Sequence, residues 1–461
     1  GFEAYLVGGC VRDLLMGRGP KDWDVATNAT PDQVQKLFPE SVYENEFGTV
    51  AVKTGIEIGI VEITTYRKEG KYTDKRHPDE FKFAKNIEED LARRDFTINS
   101  IALKFPIIVD PFNGQQDIKN KVIRTVGNAE DRFSEDALRL MRAVRLAAEL
   151  DFGIEKKTSD AIAKMAGLLE MIAKERICDE FIKLIMADKA GDGIRMMAES
   201  GLLRYVLPEL IEGVGVGQNK HHIYTVFDHN VRALEYAVNK RYSLEVRLAS
   251  LFHDVGKPRT KGGDGPDSTF YNHDLVGAKM TIKALDRLKF PKKIIEKVAH
   301  LVRCHLFYYN VGEVSEAGVR RFLRKVGPEH VEDLIKVREA DRIGSGVPKA
   351  IPYKLRHLLF MIEKVKQDAI DTRMLQVDGD DVKRITSLPQ SVKVGQILAV
   401  LLEEVLDNPK KNERKYLEER VLELNKLSEE ELKKIAFVAR EKKEEFESGL
   451  EEEIKKKFFV K

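Results

Sequence analysis

Leu6-Val7-Gly8-Gly9-Cys10-Val11-Arg12-Asp13, followed by Lys21-Asp22-Trp23-Asp24-Val25, decides the fold of the N-terminal part of the chain. Tyr5-Leu6-Val7 and Asp24-Val25-Ala26 read as short strands around a Gly-Gly turn and a helix starting near Arg12. Gly8 and Gly9 let backbone N–H groups approach an anion closely, and a following helix N-terminus favours phosphate. Asp22 and Asp24 are two residues apart, so on a strand both carboxylates point to one face. Carboxylates at that spacing suit a pair of Mg²⁺ ions, which activate a hydroxyl and neutralise a leaving pyrophosphate. A third acid on a neighbouring strand would complete the set, and Glu62, in Val61-Glu62-Ile63-Thr64-Thr65, is the best placed.

Outward from this stretch, Val50-Ala51-Val52 and Ile58 to Thr65 read as further strands, and Thr30-Pro31-Asp32 as a helix start. Leu91-Ala92-Arg93-Arg94-Asp95-Phe96-Thr97-Ile98-Asn99-Ser100 places two arginines beside an acid at an apparent helix start. Arg93 and Arg94 could bind a triphosphate bidentately, with Asp95 and Asn99 orienting a ribose. Alone, the segment reads equally well as a capped helix with surface arginines. From Ser134, a plausible N-cap, to Leu150 the spacing is helical. Ala137, Leu140, Met141, Val144 and Ala148 cover one half of that helix, with Asp136, Arg139, Arg142 and Arg145 over the other. Asp136 and Arg139 are i,i+3 neighbours, and an acceptor beside donors can pair with the edge of a base. A solvated amphipathic helix with one ion pair is the plainer reading.

With 461 residues the chain has room for about three domains. Lys+Arg 78 against Asp+Glu 76 leaves a formal net charge of +2, so any nucleic-acid surface has to come from local segregation of charge. Cys10, Cys178 and Cys304 lie far apart and form no CxxC, which fits neither a zinc knuckle nor a disulfide framework and suits a reducing cytoplasm. No apolar run is long enough to cross a membrane and no signal peptide is expected. The chain opens without a Met, as an excerpt of a longer protein would. Nothing in the pattern specifies an oligomeric state.

The expected organisation is an α/β domain over 1–127, a helical segment over 128–210, a histidine-rich helical domain over 211–345 and a helical tail over 346–461. Further helical spacing runs over Lys157 to Met165, Cys178 to Met186 and Ile194 to Ser200. The tail is interrupted at Val377-Asp378-Gly379-Asp380 and at Leu406-Asp407-Asn408-Pro409, and from 427 onward is rich in Glu and Lys.

In order along the chain, LVGGCVRDLLMGRGPKDWDVAT, EITTYRKEGKYTDKRHPDEF, LARRDFTINSIAL and EDALRLMRAVR resemble the class II CCA-adding enzymes, tRNA nucleotidyltransferases whose family includes bacterial poly(A) polymerases. KERICDEFIKLI extends the likeness. The resemblance implies a multidomain α+β protein: a polymerase β-like nucleotidyltransferase head, then all-α neck, body and tail that hold tRNA. It implies Asp22 and Asp24 as Mg²⁺ ligands, and Gly9 and Arg12 as triphosphate contacts. Arg93, Arg94 and Asp95 become nucleotide contacts. Asp136 and Arg139 become a protein template for CTP and ATP, with Arg142 and Arg145 at the remaining nucleotide positions. Arg67 to Glu80 is similar to the flexible loop by which family members switch from C to A addition.

The histidine-rich domain holds His229, Phe252-His253-Asp254-Val255, His273, His305 and Asp341. Histidine with aspartate suits a divalent transition metal. The adjacent His-Asp resembles the HD phosphohydrolases, with His229, His253, Asp254 and Asp341 as the core set and His273 and His305 where some members bind a second metal. A scaffold without hydrolase activity is the alternative. His221, His222 and His300 are expected at the surface or in packing, and His77 in the loop. Three enzymatic readings follow: CCA addition to the tRNA 3′ end, A-only or poly(A) addition, and a metal phosphohydrolase. A non-enzymatic RNA-binding protein would leave the paired acids unexplained.

Overall fold

The computed structural model describes residues 1–45, 48–55, 59–69, 81–219, 223–311, 313–365, 371–432 and 434–435. The chain forms two compact units: Gly1–Arg303 with Ala340–Val347, and Cys304–Glu339 with Pro348–Lys461.

The first unit opens with a sheet of strands β1 (Ala4–Val7), β2 (Trp23–Thr27), β3 (Val42–Asn45), β4 (Thr49–Lys53) and β5 (Ile60–Thr65). A separate ribbon pairs β6 (Arg67–Glu69) with β7 (Phe81–Phe83), and β8 (Ala102–Lys104) and β9 (Ile107–Val109) complete the main sheet. Its order is β3-β4-β5-β2-β1-β8-β9. Only the β2–β5 pairing is parallel, and it sets Asp24 opposite Glu62. Alternation along β1 sends Leu6 and Val7 to opposite faces. Leu6 packs with Cys10, Val11, Trp23 and Ile101. Val7 packs with Ala26, Tyr66, Ile87, Leu91 and Ala102.

Helices α1 (Gly9–Leu15), α2 (Pro31–Leu37), α3 (Ile87–Ala92) and α4 (Gly114–Asn120) accompany this sheet. The first begins at Gly9, earlier than the expected start near Arg12, because Gly8 at φ 78° turns the chain directly out of β1. The expected start at Thr30 holds, with a capping box to Gln33.

The helical part contains α5 (Ala129–Glu135), α6 (Leu138–Leu150), α7 (Lys156–Met165), α8 (Lys174–Met186) and α9 (Ala190–Glu199). The continuous helix expected from Ser134 is in fact two. Asn128 is the true N-cap, accepting from Asp131 N at 3.1 Å, and Ser134 lies inside α5. The break falls at Asp136, whose backbone is extended and whose Oδ1 accepts from Leu138 N at 3.0 Å, opening the next helix. The α6 helix packs on α8 and α9, and Leu140, Ala143, Val144 and Ala147 are among its buried residues. Helices Val226–Asn239, Leu244–Phe252 and His273–Arg287 follow.

In the second unit, helix Val392–Asp407 packs against Glu316–Val326, Gly379–Thr386 and Arg414–Asn425. The buried Arg320 donates its Nε to Leu406 O at 2.7 Å, satisfying the end of that helix. Both expected interruptions are helix boundaries: Asp378 caps Gly379–Thr386, and Asn408 follows the helix ending at Asp407. No helix among the described residues is long and apolar enough to cross a membrane.

Candidate active site

A cleft of about 620 Å³ opens at the end of β2, lined by Gly9, Arg12, Asp22, Asp24, Asn99, Arg142 and Arg145 among others. Asp22 immediately precedes β2 and Asp24 is its second residue. Asp24 has its pKa raised by burial and by Asp22, against the opposing field of Arg94. Such a carboxylate gains from a cation beside it. Glu62 is exposed on β5, in register with Asp24, and is not among the cleft-lining residues.

One hydrogen-bonded network crosses the cleft floor. Arg12 Nη1 donates to Asn99 Oδ1 at 2.9 Å, and Asn99 Nδ2 donates to Asp95 Oδ1 at 3.3 Å. Arg142 Nε donates to Asp95 Oδ2 at 2.9 Å. Burial alone would raise the Asp95 pKa, but Arg142 and Arg139 hold it down at about 2. Arg145 Nε donates to Glu180 Oε2 at 2.9 Å, and the buried Glu180 also lies 3.7 Å from Arg142 Nη1. The sequence-predicted Arg12, Asp95, Asn99, Arg142 and Arg145 are thus brought together, with the three guanidiniums held by Asn99, Asp95 and Glu180.

The arginine segment departs from expectation. Arg93 is the C-cap of α3, so the pair stands at a helix end and not a start. Asn86 caps the true start, accepting from Glu89 N. Beyond the arginines, Asp95 Oδ1 accepts from Phe96 N at 2.8 Å and a short 3-10 turn carries Asn99. Gly8 is required twice: its φ is positive, and a Cβ there would lie 2.9 Å from Arg94 Nη1 and 3.3 Å from Asp24 Oδ2.

The side chains of Asp136 and Arg139 bond to other partners and not to each other. Arg139 Nη1 donates to Glu135 Oε2 at 2.6 Å, and its Nη2 to Arg93 O at 3.2 Å. Asp136 takes both terminal nitrogens of Arg176, at 3.3 and 2.8 Å. The sequence reading missed Arg176, Glu180 and the buried Asp90. The first two sit four apart on α8 within KERICDEFIKLI, a spacing that could have signalled one functional face. Lys21, Glu149, Lys183 and Asp188 also line the cleft. Of the loop from Arg67 to Glu80, all beyond Glu69 lies outside the described residues, as do His77, His221 and His222.

A second cluster lies in the first unit. His229 Nε2 and His253 Nε2 are 2.8 Å apart. Asp254 Oδ2 is 3.2 Å from the first and 3.4 Å from the second, and Asp341 Oδ1 lies 3.3 and 3.6 Å from them. His253 Nδ1 faces Ser250 O at 2.8 Å, and His273 Nδ1 faces Phe270 O at 2.7 Å. Those carbonyls fix Nδ1–H on each ring and turn each Nε2 towards Asp254, an arrangement suited to a metal. Burial would lower the His253 pKa, but Asp254 and Asp341 raise it to about 10. His273 Nε2 is 3.2 Å from Asp254 Oδ1. His305 is buried and belongs to the second unit.

Residues 4–124 match the poly(A) polymerase head domain, 151–213 the probable RNA- and SrmB-binding site of polymerase A, and 226–344 the HD domain. An A-adding tRNA nucleotidyltransferase of Deinococcus radiodurans is 35% identical over 416 residues, 87% of this chain and 91% of that protein. A CCA-adding enzyme of Lactococcus lactis is 48% identical over 213 residues, 46% of this chain; the match spans about half of that enzyme, 53% of its length. Among solved structures, the Bacillus stearothermophilus CCA-adding enzyme in complex with CTP superimposes with a TM-score of 0.68 at 29% identity, covering 92% of this chain and 94% of that one. The near full-length match to the Deinococcus protein and the three domains in order show that the chain belongs to the class II tRNA nucleotidyltransferases, the family of the CCA-adding and A-adding enzymes, and carries an HD domain.

Proposed function

We propose that this protein adds CCA to the 3′ end of tRNA from CTP and ATP, releasing pyrophosphate. The observation that carries this reading is the Asp22/Asp24 pair at the mouth of a cleft ringed by Arg12, Arg142 and Arg145. The donor set fits Mg²⁺: hard carboxylate oxygens, one of them destabilised by burial until a cation arrives. Two Mg²⁺ ions held by Asp22 and Asp24, with Glu62 as the neighbouring acid, would supply an activated 3′-hydroxyl and a stabilised leaving group. The protein's own part is to hold guanidiniums where the triphosphate comes in. Arg12, fixed by Asn99, and Arg142, fixed by Asp95, reach it with little reorganisation. Asp136 offers acceptors and Arg139 donors for the base, each oriented by a separate partner.

A-only or poly(A) addition is the alternative, favoured by the A-adding function of the Deinococcus relative. The test supplies tRNA lacking CCA, or ending in C or CC, with Mg²⁺ and one labelled nucleotide at a time. Successive C, C and A additions are expected. Addition of a single A to tRNA-CC with no use of CTP would assign an A-adding enzyme, and an ATP ladder a poly(A) polymerase.

The His229, His253, Asp254 and Asp341 cluster supports a second activity, hydrolysis of a phosphate ester by a divalent transition metal held there. Hydrolysis that survives Asp22→Ala and is lost in His253→Ala is expected; the reverse pattern would sink it. Three buried cysteines outside any disulfide and tRNA as partner fit a reducing, cytoplasmic setting.

A further inference from the structure

Asp90 is 1% exposed, near the end of α3, and nothing in the chemistry proposed above uses it. Its Oδ1 accepts from Arg93 Nε at 3.0 Å, from Arg93 Nη2 at 2.9 Å and from Arg67 N at 3.3 Å. Its Oδ2 accepts from Arg94 Nη2 at 3.3 Å. Burial would raise the Asp90 pKa, but Arg93 and Arg94 lower it, so the group is an anion. A buried carboxylate is tolerated only with such pairing. One carboxylate between two guanidiniums still leaves net positive charge.

That charge is aimed. Arg94 Nη1 lies against Gly8, 2.9 Å from the position a Cβ would take, at the turn that opens the cleft. The buried Nε of Arg94 has no hydrogen-bond partner among the described residues. The Arg93 carbonyl accepts from Arg139 Nη2, tying the same segment to Arg139. Arg67 N, held by the same carboxylate, belongs to the first residue of the β6–β7 ribbon. A counterion for surface arginines would lie at the surface; this one is inside and holds two arginines by one end.

We propose that Asp90 is a positioning residue for nucleotide binding: it holds Arg94 at the Gly8 turn, with Arg93 on the same carboxylate, so that Arg94 is in place to receive the triphosphate. The inference rests on the nucleotidyl-transfer reading. It predicts that loss of Asp90 weakens phosphate capture with little effect on the chemical step.

The experiment uses the full chain, tRNA ending in CC and varied ATP, on wild type, Asp90→Asn, Arg94→Lys and the double variant. Asp90→Asn should raise KM for ATP about tenfold, the scale of a charge-assisted hydrogen bond, with kcat within about threefold. The inhibition constant of inorganic tripolyphosphate should rise by the same factor. The double variant should be no worse than Arg94→Lys, because both act on one contact. If Asp90→Asn fails to fold, Asp90→Glu, which keeps the charge and displaces it by one methylene, should raise KM in the same sense. No incorporation by wild type would defeat the functional reading itself. Normal wild-type activity with an unchanged KM in the folded variant, or effects of Asp90 and Arg94 that multiply, would overturn the role given to Asp90.

Discussion

Asp95 has a signature that pH can read. Its folded pKa, about 2, lies below the usual carboxylate value because Arg142 and Arg139 outweigh burial. A depressed carboxylate stabilises the fold above its unfolded pKa, and that stabilisation is lost as pH falls through the folded value. The contribution is about 2 kcal/mol, present above pH about 4 and gone near pH about 2. The Tm deficit of Asp95→Asn relative to wild type should therefore be widest near neutrality and shrink as pH falls through this window. A deficit independent of pH would assign Asp95 a purely steric role. Gly8 gives a second prediction at this scale. With φ 78°, ψ −140° and Arg94 against it, Gly8→Ala should cost about 1–3 kcal/mol of stability, read by urea unfolding. Both residues were visible in the sequence, Gly8 as half of a Gly-Gly turn and Asp95 beside two arginines. Their partners were not, since Arg142 lies 47 residues from Asp95 and nothing local announces the pairing.

Among the elements, strands flanking the Gly-Gly turn were legible because alternation and turn chemistry are local. The parallel pairing that sets Glu62 opposite Asp24 was guessed only as a neighbouring strand, since register depends on the assembled sheet. The break between α5 and α6 was missed for the converse reason. Apolar positions keep helical spacing across it, and only the side chain of Asp136, capping Leu138 N and paired with Arg176, diverts the backbone. This separates two roles of one residue. Asp136→Ala should lose the cap, about 1 kcal/mol by thermal unfolding, whereas Asp136→Asn retains it. Both should lose discrimination of CTP and ATP over UTP and GTP in single-nucleotide incorporation. Full discrimination in Asp136→Asn would move base selection elsewhere.

At the scale of the whole molecule, the family resemblance made the head and the histidine cluster readable. The helices of the second unit carry no such motif, so their spacing and caps were legible without a role. If the proposed tRNA partner is held through its phosphates by Lys and Arg side chains, its affinity should fall steeply with salt. The two acidic centres should be separable. His253→Ala should leave nucleotide incorporation within about threefold of wild type while lowering the transition-metal content that elemental analysis is expected to find in wild type. Loss of incorporation in that variant, with the fold intact by circular dichroism, would show that the centres work as one.

The most direct measurement is single-turnover addition of labelled CMP to tRNA lacking CCA, by wild type, Asp22→Ala and Asp24→Ala, with tRNA affinity measured on the same preparations. Removal of either acid of the proposed metal pair should slow incorporation by about a thousandfold or more, with tRNA affinity within about threefold of wild type. Incorporation at the wild-type rate in either folded variant would contradict the assignment of Asp22 and Asp24 as the catalytic pair.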